Sequence, residues 1–141
     1  MMISQTAEYA LRAMVWLASR PEQAHGTPQI ARASQVPPGY LSKVLQKLAR
    51  AGLVASTPGR SGGFRITRPA TEISVLDVVN AVDPVQRIHT CPLGLRSHGT
   101  VLCPLHRRLD DAAAAMETAF AGSTLAELLR EDTTSPPLCD A

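Results

Sequence analysis

The first 70 residues show a helical hydrophobic period three times and then a period of two, with proline or glycine at each break. Ala7, Ala10, Leu11, Met14, Val15 and Ala18 predict a first helix over Ser4–Ser19, stopped by Pro21. Thr27-Pro28 reads as a cap with proline in the first turn, opening a short second helix whose inner face is Ile30 and Ala31. Gln35-Val36-Pro37 breaks it. A third helix opens at Pro38 with core positions Leu41, Val44, Leu45 and Leu48; it ends near Ala51 at Gly52. Two short strands follow, Leu53–Thr57 and Phe64–Thr67, around a Pro58–Gly63 turn whose glycines can take positive φ. Few arrangements bury these four pieces together. The expected class is mainly α with a small β-hairpin wing, a winged helix-turn-helix.

Beyond the hairpin, Ser74–Val79 predicts another short helix, ending near Asp83-Pro84. Residues 84–103 have no clear period. A long helix is expected from Pro104 to about Ala121, with Leu105, Leu109, Ala112, Ala113, Met116 and Phe120 along one side, followed by a last helical piece over Thr124–Arg130. The stripe suits a dimer seam, and it suits intramolecular core equally well. The divisions are therefore a head (1–83), a loop (84–103), a long dimerisation helix with a final helix (104–131) and a loose tail (132–141).

Charge separates the two halves. Residues 1–70 hold nine Lys/Arg against Glu8 and Glu22, while residues 71–141 hold five Lys/Arg against ten Asp/Glu. A basic half joined to an acidic half suggests nucleic-acid binding coupled to a sensing or assembly module. The face of the third helix opposite its core stripe carries Tyr40, Ser42, Lys43, Gln46 and Lys47. Such a helix fits the major groove, where Lys and Gln meet guanine and adenine edges. Lys43, Gln46 and Lys47 are candidates for base or phosphate contact, and Tyr40 and Ser42 for the backbone. Arg60 at the wing tip is placed for phosphate or a minor groove. An ordinary solvated helix face is the competing explanation. The glycine-rich turn lacks a Gly-Lys-Ser/Thr ending, so it is not a nucleotide loop. There is no nucleophile–base pair and no cofactor motif of an enzyme. The N-terminus has no basic head before an apolar run and no segment is long enough to span a bilayer, so a cytoplasmic protein without membrane association is expected.

The motifs together resemble the Rrf family of bacterial winged-helix transcription regulators. Ala7-Glu8-Tyr9-Ala10-Leu11-Arg12 is similar to the family's opening helix. Tyr40-Leu41-Ser42-Lys43-Val44-Leu45-Gln46-Lys47-Leu48 with Ala51-Gly52-Leu53-Val54 is similar to its recognition helix and exit. Gly59-Arg60-Ser61-Gly62-Gly63-Phe64-Arg65 resembles its wing, Ile73–Val78 the element after it and Thr124–Leu129 the final helix. The resemblance implies a homodimer built on the long helix and bound to an operator of double-stranded DNA with two half-sites.

Many members of that family hold an iron–sulfur cluster between cysteines separated by five residues. The matching positions here are Cys91, Ser97 and Cys103, so the middle cysteine is absent. The resemblance transfers Cys91, Cys103, His106 and, from the partner subunit, Glu8 as ligands; His98, beside Ser97, is a substitute candidate. The residues agree in part. Cys91 and Cys103 each precede a proline, and Cys103 and His106 lie one helical turn apart. Two thiolates with two other ligands suit a 2Fe-2S cluster with mixed ligation, the favoured cofactor, and the same set suits tetrahedral zinc. A cluster-free thiol switch between Cys91 and Cys103, control by a protein partner and an inert loop stay open. Cys139 is read as a tail residue outside the ligand set, and His25 and His89 have no identifiable partners.

Overall fold

The computed structural model describes residues 1–138; Cys139 to Ala141 lie outside them. Its centre is α1 (Gln5–Ala18). Ser4 precedes it in extended conformation and its Oγ accepts from the Ala7 amide at 3.1 Å, capping the helix. Alanines at 7, 10 and 13 leave room for close neighbours, and Met14, Trp16 and Leu17 fill the space between them. The next two helices, the helix after the wing and the second strand of the wing pack on this helix.

The next helix, α2 (Thr27–Ser34), departs from expectation at its start. Gly26 holds the cap position, without a side-chain cap bond, and Thr27 is already helical. At its end Gln35 turns left-handed, with φ 54°. The third helix, α3 (Pro38–Arg50), buries Leu41, Val44, Leu45 and Leu48, as the period predicts. It closes in a Schellman motif: Gly52, at φ 78°, donates to the Ala49 carbonyl and Leu53 donates to that of Leu48, both at 3.0 Å.

The wing is β1 (Val54–Thr57) antiparallel to β2 (Gly63–Ile66), with Val54 opposite Ile66 and Thr57 opposite Gly63. The ladder thus takes in Gly63, one residue before the expected start. Phe64 also pairs with His25 through amide–carbonyl bonds of 2.9 and 2.8 Å, tying the wing root to the segment before α2. Close backbone approach explains the two glycines. A Cβ on Gly63 would strike the His25 carbonyl, and one on Gly62 would strike that of Thr57. Gly63 also sits at φ 136°, so close approach joins turn geometry in excluding a side chain.

Capping boxes begin α4 (Val75–Val82), through Ser74 and Asp77, and α6 (Leu125–Arg130), through Thr124 and Glu127. The two starts are stitched together: Val75 donates to Ser123 at 2.8 Å and Leu125 to Ile73 at 2.9 Å. Between them run residues 84–103, irregular with turns at 92–93 and 99–100 and a 3-10 turn at Arg96–His98, and α5 (Pro104–Ala121). This long helix has no fully buried residue and packs on α4. The last described residues of the segment expected to be a loose tail lie against the protein. Pro137 and Leu138 are half-buried, and Leu138 rests on the core. Among the described residues no helix is long and apolar enough to cross a membrane.

Candidate nucleic-acid interface and sensor loop

The outward face of α3 presents Tyr40, Ser42, Lys43, Gln46 and Lys47, all exposed, and Arg60 stands exposed in the turn of the wing. They are not equally free. Tyr40 is 41% exposed; its hydroxyl shares a 2.9 Å hydrogen bond with Thr6 Oγ1 and its ring meets that of Tyr9 edge-on, 5.2 Å between centroids. Ser42 Oγ donates back to the Pro38 carbonyl at 3.2 Å. Lys47 Nζ donates to the Val82 carbonyl at 3.4 Å, so it also caps the C-terminal end of α4. Lys43 and Gln46 have no side-chain hydrogen bond among the described residues. Thr6, Tyr40, Lys43, Val44 and Lys47 line a shallow groove of about 190 Å³ between α1 and α3. The arrangement offers hydroxyl and ammonium donors around one exposed helix, the donor types that meet phosphates and base edges.

The loop places the two cysteines differently. Cys103 is the cap residue of α5, and its Sγ lies 3.3 Å from His106 Nδ1, bringing together the pair expected from their spacing. Cys91 heads a tight turn closed by the Gly94 amide on the Cys91 carbonyl at 3.0 Å. The backbone N–H of Leu95, helped by those of Leu93 and Gly94, surrounds its sulfur and holds the thiol below its ordinary range, against a smaller opposing effect of burial. His98 is half-buried and its Nδ1 is buried without a hydrogen-bond partner. Among the described residues Cys91 and Cys103 form no disulfide. Among the described residues no three His, Cys, Asp or Glu side chains converge as a metal site. Cys91, His98, Cys103 and His106 therefore do not form a closed ligand set within one chain. Glu8 is engaged elsewhere in its own chain, in an ion pair of 2.7 Å with Arg12. Cys139 lies outside the described residues.

Sequence reasoning missed the residue that fastens the loop. Arg87 makes a two-pronged contact with Asp110 on α5, at 2.7 and 2.9 Å, and a third bond to Glu117 at 2.7 Å. The Ile88 amide adds a bond of 2.8 Å to the same Asp110. The Arg87 guanidinium, aided by the Ile88 amide, holds the Asp110 carboxyl far below the usual carboxylate range. The only advance signal was acidic residues at 110 and 117, two helical turns apart on α5. His25, which had no identifiable partner in sequence, is buried: Nε2 lies 3.1 Å from the Arg20 carbonyl and its ring meets Trp16 edge-on.

Comparison with known proteins places this geometry. A family model described as "Rrf2: Iron-dependent Transcriptional regulator" matches residues 3–131. A curated relative, "Protein aau3" of Rhizobium meliloti (strain 1021), is 38% identical over 105 residues, 74% of this chain. The chain spans 66% of the length of that relative. Among solved structures, oxidized CymR of Staphylococcus aureus superposes with TM-score 0.74 at 26% identity, covering 95% of this chain and 100% of that one. IscR of T. potens gives TM-score 0.75 at 22% identity over 92% of this chain and 87% of that one, a likeness of fold. The expected fold class and the resemblance both hold: this chain belongs to the Rrf2 family, whose members are transcription regulators and not enzymes.

Proposed function

We propose that the protein is a DNA-binding transcription regulator that works in the cytoplasm as a homodimer on a two-half-site operator. The observation that carries this reading is the exposed polar and cationic face of α3 beside a basic wing, on a chain of the Rrf2 family. In it Lys43 and Gln46 read base edges or nearby phosphate, and Lys47 contributes while tethered to α4. Tyr40, Ser42 and Arg60 engage the backbone. The test is selection of a duplex from random sequence, then fluorescence anisotropy at several salt concentrations. Selected duplexes should carry two related half-sites, and Lys43→Ala should reduce the salt slope by about 0.9. Failure to enrich any sequence would overturn the reading.

The finer part of the proposal concerns the signal. Cys91, Cys103 and His106 are the residues for an iron–sulfur cluster, 2Fe-2S by preference, completed by Glu8 of the partner subunit, with His98 as substitute. Two features support it: the N–H groups around the Cys91 sulfur, which favour its thiolate, and the adjacent Cys103–His106 pair. A cluster there would make DNA binding respond to redox state, nitric oxide or iron–sulfur supply. The failure of three ligands to converge in one chain favours a second reading, in which the thiols themselves or a protein partner carry the signal. Anaerobic purification with iron, sulfide and zinc analysis separates these. About two iron and two sulfide per chain support the cluster, one zinc supports structural metal, and neither supports the second reading.

A further inference from the structure

Arg12 stands on α1, outside the recognition helix and the wing. Its side chain nevertheless reaches both segments that fix where the recognition helix begins. Nη1 donates to the carbonyl of Gln35, 23 residues away, at 3.1 Å. Gln35 is the residue that turns left-handed between α2 and α3, a conformation L side chains seldom adopt. The carbonyl of this turn is exposed to water, and Arg12 supplies it with a donor from the chain itself. The guanidinium is itself held in place. Its Nε bonds the Glu8 carboxylate, 2.7 Å at the nearer oxygen, and its plane lies over the Tyr9 ring with the central carbon 5.3 Å from the ring centroid. Tyr9 in turn meets Tyr40 on the first turn of α3. Thus α1 grips the start of α3 at the turn peptide and again at Tyr40.

We propose that Arg12 is a positioning residue for operator recognition, fixing the left-handed turn at Gln35 from which the recognition helix starts. The inference rests on the DNA-binding reading above and extends it to a residue outside the contact surface. The lever is long. Gln46 stands eight residues into this helix, about 12 Å from its start, so a rotation of about 10° there moves it by about 2 Å. That displacement removes a hydrogen bond to a base edge while leaving general attraction to phosphates intact.

The experiment compares the selected operator with a scrambled duplex, using metal-free protein so that any sensor group is out of play. Arg12→Ala should weaken operator binding roughly tenfold, the worth of a hydrogen bond from a charged donor. Affinity for scrambled DNA and the salt slope should not change. Arg12→Lys, which can still donate to the carbonyl, should recover part of the loss. Gln35→Asn, whose side chain tolerates the left-handed region, should make the loss smaller. Amide exchange gives a readout without DNA: Arg12→Ala should speed exchange at Val36, whose amide bonds the Ala31 carbonyl. Equal loss on both duplexes with a shallower slope would make Arg12 a phosphate contact and overturn the proposal. So would unchanged operator affinity or unchanged exchange. If the unmodified chain prefers no sequence, the DNA reading fails, and the exchange at Val36 still decides whether Arg12 sets the turn.

Discussion

Gly63 shows how a single residue can be constrained by a partner far away in the chain. It needs positive φ, which a local turn signal announces, and it needs an empty α-carbon because the His25 carbonyl lies against it. Gly63→Ala is therefore expected to destabilise the protein by about 2–4 kcal/mol through combined backbone strain and collision. Gly39 is the control: it lies in α3 with open space around its α-carbon, so Gly39→Ala should be neutral or stabilise by up to about 1 kcal/mol. Urea unfolding measures both, and amide exchange at Phe64 and His25 locates the damage. Protected amides there in the Gly63 variant would refute the argument. The glycines were legible as a turn, but the His25 contact was not, because pairing across nearly forty residues leaves no local pattern. The same holds for Lys47 on the Val82 carbonyl and Arg12 on the Gln35 carbonyl. Each is a long cation whose sequence position fits a solvated face equally well. Cys103 with His106 was legible because one helical turn fixes their proximity. Convergence of a third ligand depends on loop conformation, which spacing does not determine.

Among the elements, the helices followed their periods, and apart from the start of α2 their ends fell where proline and glycine mark breaks. The aperiodic stretch 84–103 is where the pattern gave no guide, and there the order comes from electrostatics. Arg87 fastens the segment entering the loop to α5 through Asp110 and Glu117. Asp110 has its native pKa depressed, so the unfolded chain binds this proton more readily than the folded one. The clasp's contribution to stability is complete above the ordinary carboxylate pKa near 4 and fades as pH falls below it toward the lowered native value. Acid unfolding monitored by circular dichroism should accordingly begin below about pH 4 in the native protein. In Arg87→Ala the Asp110 pKa returns toward normal, so the acid-dependent loss attributable to this carboxylate should diminish, while stability at pH 7 falls. Double-variant analysis with Asp110→Asn isolates the pair, since the two changes should be far from additive. Additive effects, or an acid limb unaffected by Arg87→Ala, would show that the loop is held in some other way.

At the scale of the molecule, α5 leaves an apolar surface exposed. The stripe from Leu105 to Phe120 is half-buried at Ala113, Met116 and Phe120, yet Leu105 is 60% and Leu109 50% exposed. Leu93, Leu95 and Val101 on the adjoining loop are exposed as well. An apolar surface continuous with a packed one is what a partner subunit would cover. The seam was legible in the sequence as a stripe, but periodicity alone could not distinguish intramolecular core from dimer interface. In the structure its C-terminal end touches the chain's own core and its N-terminal end faces out. Charge adds a second constraint, since the heads are basic and the C-terminal half is acidic. Pairing through α5 would leave two basic heads free to meet two half-sites of one duplex, as operator symmetry requires. Leu109→Asp should then shift the protein from dimer to monomer in analytical ultracentrifugation at micromolar concentration, because a buried unpaired carboxylate is strongly disfavoured. The far-ultraviolet circular dichroism should stay native, since residue 109 is outside the core. Operator affinity should drop at least about a hundredfold on a two-half-site duplex, as the two heads no longer bind as one linked unit. On a single half-site the variant and the native protein should differ little. A variant that remains dimeric would move the interface away from this stripe, and a monomer with undiminished operator affinity would remove the need for two linked heads.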